Sequence, residues 1–156
     1  MTNKEIKIAY REYESLAQLE VEDKELAQAA IEATAQSYAP YSNFNVGAAV
    51  LFEDGVVVKG ANQENAAYPS GLCAERTALF YASASRPDKA MTAIAIAAGQ
   101  NGELCKNPAT PCGACRQTLL DAEKRQQSAI RIIMSSRTTA TVVGSAEALL
   151  PFSFKL

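Results

Sequence analysis

The chain has 156 residues, with 15 Lys and Arg against 17 Asp and Glu, four cysteines, no tryptophan and no histidine. That length suits one compact domain, and a net charge of −2 lacks the basic footprint of a protein that grips a nucleic-acid polymer. Without histidine no Ser-His-Asp or Cys-His arrangement can form, so an acid–base group must be Asp, Glu, Lys, Tyr or Cys, and a tightly held transition metal must rest on thiolates and carboxylates. Of the 48% hydrophobic residues, 29 residues are alanine, which predicts helices lying close on a sheet through small side chains. No stretch approaches the roughly 18–20 apolar residues that would span a bilayer. The charged start, MTNKEIKIAYREYES, has no signal-peptide apolar run. A cytoplasmic protein is expected, whose cysteines bind metal or do chemistry rather than pair.

In chain order, residues 1–37 carry a net charge of −4 and residues 38–156 a net charge of +2, so an acidic appendage precedes a slightly basic body. Ile6, Ile8 and Tyr10 alternate with Lys7, Ala9 and Arg11, predicting a short edge strand within an N-terminal extension of residues 1–21. From Glu22 to Ser37 apolar residues recur at helical spacing (Leu26, Ala29, Ala30, Ala33), and Pro40 lies in the turn that ends the helix. Val46–Phe52 and Val56–Ala61 flank Glu53-Asp54-Gly55 as a hairpin. Cys73–Ser83 reads as a helix ended by Arg86-Pro87-Asp88. Thr92–Ala98 is too apolar for one wet face and is expected at the centre of the sheet. Cys112–Gln127 reads as a helix, Ile130–Met134 and Thr139–Val143 as strands, and Glu147–Leu150 as part of a short helix. This order predicts a mixed sheet between helices, a three-layer α/β/α sandwich.

Cys112-Gly113-Ala114-Cys115 opens one of these helices. Two thiols three residues apart on a first turn can grip one metal ion, and the positive helix end favours thiolates. Alone, the pair is only suggestive: half a structural zinc knuckle, a redox pair and two buried cysteines compete with it, although no second Cys-x-x-Cys exists and the pair comes late in the chain for a redox motif. Cys73, at the start of the other helix and 39 residues earlier, would supply a third thiolate and leave tetrahedral zinc one open position, the catalytic arrangement. Glu75, two residues on, can stand over that position and take a proton from water there. Three thiolates against one Zn2+ leave a net negative charge, and Arg76 is the residue placed to donate to a ligand sulfur; its alternative is an ordinary surface arginine. Cys105 is expected in a loop, uninvolved.

Cys73-Ala74-Glu75 followed by Pro111-Cys112-Gly113-Ala114-Cys115 resembles the signature of the zinc deaminases. Further stretches resemble the small, tetrameric cytidine deaminases: Tyr38–Phe44, Val46–Ala49, Asn62–Ala66, Cys73–Leu79, Pro111–Gln117 and Leu149–Pro151. The resemblance covers about residues 22–156 and implies a catalytic domain there. It implies one Zn2+ per chain on Cys73, Cys112 and Cys115, Glu75 as the catalytic residue, and hydrolysis of cytidine and deoxycytidine in pyrimidine salvage. It further implies a nucleoside partner and neither polymer nor membrane. Asn62 and Glu64 would hold the ribose hydroxyls, Phe44 and Ala74 would meet the nucleoside, and Tyr68 and Phe154 would reach a neighbour's site in a homotetramer. Turn chemistry for Asn62 and Glu64, and core packing for Phe44, are the competing readings of the same residues.

Overall fold

The computed structural model of the protein describes residues 1–154; the last two residues of the expected catalytic domain, 155 and 156, lie outside the described residues. In chain order the elements are β1 (Tyr10–Tyr13), α1 (Val21–Ala33), β2 (Phe44–Phe52), β3 (Val57–Ala61), α2 (Ala74–Ser85), β4 (Met91–Gln100), β5 (Glu103–Leu104), α3 (Gly113–Gln126), β6 (Arg131–Ser135) and β7 (Ala140–Val143). They form one sheet in the order β1-β7-β6-β4-β2-β3, with β5 pairing the end of β4. The β4–β6 pair is parallel and the others are antiparallel. That one parallel pair needs a crossover, and α3 supplies it. The sandwich is the mixed, helix-covered sheet the alternation predicts.

Side-chain period two sorts the two cores. Ala48, Val50, Phe52, Ile94, Ile96, Ile132 and Met134 turn to the face covered by α2 and α3, whereas Ala49, Leu51, Ala93, Ala95, Ala97 and Ile133 turn to the face covered by α1. Both faces are dry, so β4 has no polar alternation, as its sequence indicates. The α1 face is built from small residues, and the helix lies correspondingly near: a β-carbon added to Gly47 would stand 2.1 Å from the Ala30 carbonyl oxygen. The predicted close packing through alanine dominates this face, and α2 comes nearly as close on the other, where Gly60 stands against Ala78.

Four expectations shift. The first strand runs over Tyr10–Tyr13 rather than Ile6–Arg11, because its partner β7 is four residues long and its register pairs Tyr10 with Val143 through Tyr13 with Ala140. The first α-helix stops at Ala33 and tightens into a 3-10 turn over Thr34–Gln36. The segment before Cys105 is not all loop: β5 pairs Glu103 with Gln100 and Leu104 with Gly99, a short hairpin turned by Asn101 and Gly102, both at positive φ. The last short helix is a 3-10 turn over Ala146–Leu149.

Candidate active site

Helices α2 and α3 start side by side on the same face of the sheet, and both start with a cysteine. Cys73 and Cys112 are the N-caps, in extended backbone, and neither side chain makes a capping hydrogen bond. A thiol caps poorly compared with Ser or Asp, which leaves both sulfurs free to turn toward each other. Cys115, within the first turn of α3, completes the group. Sulfur separations are 3.9 Å for Cys73–Cys112 and 3.6 Å for Cys112–Cys115, and all three ligand atoms lie within 4.8 Å of one another. Tetrahedral zinc with bonds of about 2.3 Å sets its sulfurs about 3.8 Å apart, so the donor set fits that ion with one position left over. Cys115 is buried, Cys73 half-buried and Cys112 exposed, so the cluster opens on one side.

The charges around it are coupled. The Cys115 thiol hydrogen-bonding to Cys73, aided by the Arg76 guanidinium and the Cys112 thiol against partial burial, draws the Cys73 thiol down to about 5. Cys115 moves the other way, pushed up by holding the proton of that hydrogen bond and by burial. These neighbours favour the thiolate at Cys73, the form in which a cysteine binds metal. Burial raises Glu75 to about 6, with the negative Cys73 adding to it and its own backbone N–H, the Cys115 thiol and Arg76 opposing. Among the described residues, Nε of Arg76 is the one buried side-chain polar atom without a partner. An unpaired buried donor beside a net-negative thiolate site fits the role of stabilising ligand sulfurs.

The open side faces a cavity of about 690 Å³. Its walls include Phe44 and Val46 at the start of β2 and Ile96 in the middle of β4, brought together by the antiparallel pairing of β2 with β4, in which Val46 faces Ala98 and Ala48 faces Ile96. Asn62, Glu64, Tyr68, Cys73, Glu75, Arg76 and Cys112 also line it. The polar pair behaves more like loop architecture than the resemblance alone implies. Asn62 Oδ1 accepts from the Ser37 hydroxyl and the Val46 N–H, and its Nδ2 donates to the Phe44 carbonyl, leaving one N–H. Glu64 accepts from the Ser42 hydroxyl and from the N–H groups of Tyr41 and Ser42, and these donors, the hydroxyl first, hold it below the usual carboxylate range. Turn chemistry and cavity lining are thus combined in the same two side chains.

One expected contact falls elsewhere. Ala74 is wholly buried in the core under α2 and is not among the residues lining the cavity. Phe154 is exposed and outside this chain's cavity; its carbonyl accepts from Gln117 Nε2 at 3.3 Å. Tyr68 is 78% exposed and meets Tyr41 edge-on, with ring centroids 6.2 Å apart. Cys105 lies apart from the cluster, its N–H bonded to Ala98 and its carbonyl to Arg137. Sequence reasoning missed Ser42, whose bond to Glu64 spans 22 residues and carries no local signal. It also missed the cavity residues Ala109 and Thr110, which their position just before Pro111-Cys112 could have suggested.

Residues 20–130 match the family model of the cytidine and deoxycytidylate deaminase zinc-binding region. Over 97 residues the chain is 50% identical to the cytidine deaminase of Halalkalibacterium halodurans, a stretch covering 62% of this chain and 68% of that protein. The crystal structure of cytidine deaminase from Burkholderia pseudomallei is similar with a TM-score of 0.67 and 39% identity, over 83% of this chain and 97% of the other. That of cytidine deaminase from Mycobacterium tuberculosis gives a TM-score of 0.67 at 35% identity, over 88% of this chain and 100% of the other.

Proposed function

The chain belongs to the cytidine and deoxycytidylate deaminase family, and on that footing we propose that it converts cytidine or deoxycytidine and water into uridine or deoxyuridine and ammonia, a step of pyrimidine salvage. The observation that carries this reading is Glu75: a carboxylate 4% exposed on the first turn of α2, lining the cavity beside three sulfurs fitted to one zinc ion. Zinc bound by Cys73, Cys112 and Cys115 supplies the Lewis acidity that makes a water nucleophilic near neutral pH.

The proton work falls to Glu75. Its carboxylate takes a proton from the water and passes it to N3 of the ring as the hydroxyl adds at C4. It then takes the proton of that hydroxyl and gives it to the exocyclic nitrogen, which leaves as ammonia while the C4 carbonyl forms. N3 keeps its proton in the product, so the atoms balance. A group that burial raises to about 6 holds either state near neutral pH, as a shuttle requires. Phe44, Val46 and Ile96 supply the apolar wall for the base. The remaining N–H of Asn62 and the ionised Glu64 suit ribose hydroxyls. Arg76 is the only cation lining the cavity among the described residues, and it serves the sulfurs, so a phosphate would find no partner; this favours a nucleoside over a nucleotide or polymer.

The catalytic domain spans residues 22–156 behind the extension of residues 1–21. Copies assemble as a homotetramer, to which the exposed Tyr68, Phe152 and Phe154 (78%, 92% and 68%) lend support as apolar surface in need of cover. A site of three thiolates suits reducing surroundings, which supports a cytoplasmic enzyme. The test is ammonia release from cytidine, deoxycytidine, single-stranded DNA and RNA, with and without a chelator. Both nucleosides are expected to react, the chelator to stop them, and the polymers to stay inert. Reaction of a polymer alone would overturn the reading.

A further inference from the structure

The sheet ends in two edge strands whose charges are met differently. On β3, Lys59 pairs with Glu32 at 3.5 Å. On β1, Arg11 and Glu12 have no ion-pair partner among the described residues. Tyr10, Arg11 and Glu12 are exposed, residues 1–9 ahead of them are exposed and belong to no element, and Ile6, Ile8 and Tyr10 are 56%, 46% and 58% exposed. An open edge continued by an apolar alternation is a template for another strand.

Charge order in this arm selects the partner. In an antiparallel pair of identical strands within one sheet, the two-fold axis is perpendicular to the sheet, so facing residues share a face and their numbers sum to an even value. With the axis at Ile8, Lys4 faces Glu12, Glu5 faces Arg11, Ile6 faces Tyr10, and Ile8 faces Ile8. Every apolar residue on the even-numbered face meets an apolar one, and four opposite-charge pairs form across the two copies. Moving the axis by one residue sets Lys7 against Lys7 in one direction and Lys7 against Arg11 in the other, so like charges oppose both neighbouring registers. The register that satisfies the charges also seats residues 4–6 of one copy along residues 10–12 of the other, which is the open side of β1.

We propose that the N-terminal arm is a self-pairing strand: residues 4–12 of two copies zip antiparallel about Ile8, joining their sheets edge to edge through β1. The occupant of the edge is a second copy of this chain, recognised by the mirrored order of Lys4, Glu5, Arg11 and Glu12. This contact uses neither the cavity nor the metal ligands, and it stands or falls independently of the proposed reaction.

The experiment places single cysteines in the zinc-loaded full chain and oxidises gently, with the unsubstituted chain treated alongside. Facing residues of an antiparallel pair lie about 4.5–5.5 Å apart at Cα, within the range a disulfide bridges, so Ile8→Cys is expected to give a covalent dimer. Thr2→Cys, on the same arm, would sit about 40 Å from its own copy at about 3.4 Å per residue and should stay monomeric on a denaturing gel. Equal cross-linking at both positions would mean random collision of arms and would overturn the register. No cross-link at residue 8 would overturn the pairing itself. Charge reversal adds a second readout by sedimentation: Lys4→Glu alone should weaken arm-dependent association about tenfold. A mixture of Lys4→Glu chains with Glu12→Lys chains restores every opposite-charge pair and should recover it. A mixture no stronger than either variant alone would contradict the proposal.

Discussion

Glu75 and Glu123 are both buried acids in the helical layer of α2 and α3, at 4% and 7% exposed, yet the chain surrounds them in opposite ways. Glu123 is spoken for. Its oxygens accept from the Ile130 N–H at 2.7 Å, the Ala146 N–H at 2.7 Å and the Ser145 hydroxyl at 2.8 Å, tying the end of α3 to β6 and to the 3-10 turn after β7. Glu75 has its own backbone N–H, the Cys115 thiol and the Arg76 charge to favour ionisation, and burial outweighs them. A carboxylate with all its donors fixed is a structural joint. One that is buried, short of donors and beside an open cavity is poised to exchange protons.

Substitution separates the two roles, and the largest effect belongs to Glu75. Glu75→Gln keeps size and polarity, and is expected to keep zinc and bound cytidine while turnover falls about 10²–10⁴-fold, the worth of positioned proton transfer. Metal analysis, equilibrium binding and turnover on the same preparation check it, and turnover near the parent's would assign the proton to another group. Glu123→Ala should do the reverse. Leaving two buried N–H groups without an acceptor costs about 3 kcal/mol of stability, while turnover per folded chain stays that of the parent; denaturant unfolding and active-site titration read the two separately.

Acidity sharpens the contrast in the metal-free chain. The Glu75 carboxyl is raised from 4.5 to about 6, so the folded chain binds its proton more tightly than the unfolded chain. Stability from this group is therefore complete below about pH 4.5 and is lost as pH rises through about 6. Glu75→Gln cannot lose it. The chelated variant should match the chelated parent near pH 4 and exceed it by up to about 2 kcal/mol above pH 7; a difference that shrinks as pH rises would reverse the sign and refute the cause. The smallest effect is at Ser42. Ser42→Ala removes one donor from Glu64, and KM for cytidine should rise about fivefold at unchanged kcat, measured by steady-state kinetics.

The three-cysteine cluster and the place of Glu75 beside it were legible in the sequence because metal chemistry fixes residue type and spacing, and helix starts bring thiols together within one turn. The strands of the core were legible because period two survives wherever both faces are covered. Other features depend on partners distant in sequence. The first strand slid to Tyr10–Tyr13 because the length of β7 sets where pairing begins, and alternation in Ile6–Arg11 says nothing about β7. Glu123 looks like any surface helix glutamate until Ala146, 23 residues on, folds over it. The engagement of Asn62 with Ser37, Val46 and Phe44 likewise arises only when the end of β3 meets the start of β2.

The alanine-built face beneath α1 has a consequence for how this chain can vary. At Ala30, Ala49, Ala93, Ala95 and Ala97, each fully buried, a larger side chain has no room unless the helix lifts, and glycine removes contact and stiffness together. These positions have no mutational headroom in either direction. Sequence drift in the interior is thereby steered across the sheet, to the Val, Ile and Met positions around α2 and α3, where volume can be traded between neighbours. The layer that carries the cysteine cluster and Glu75 is also the layer left free to change its packing.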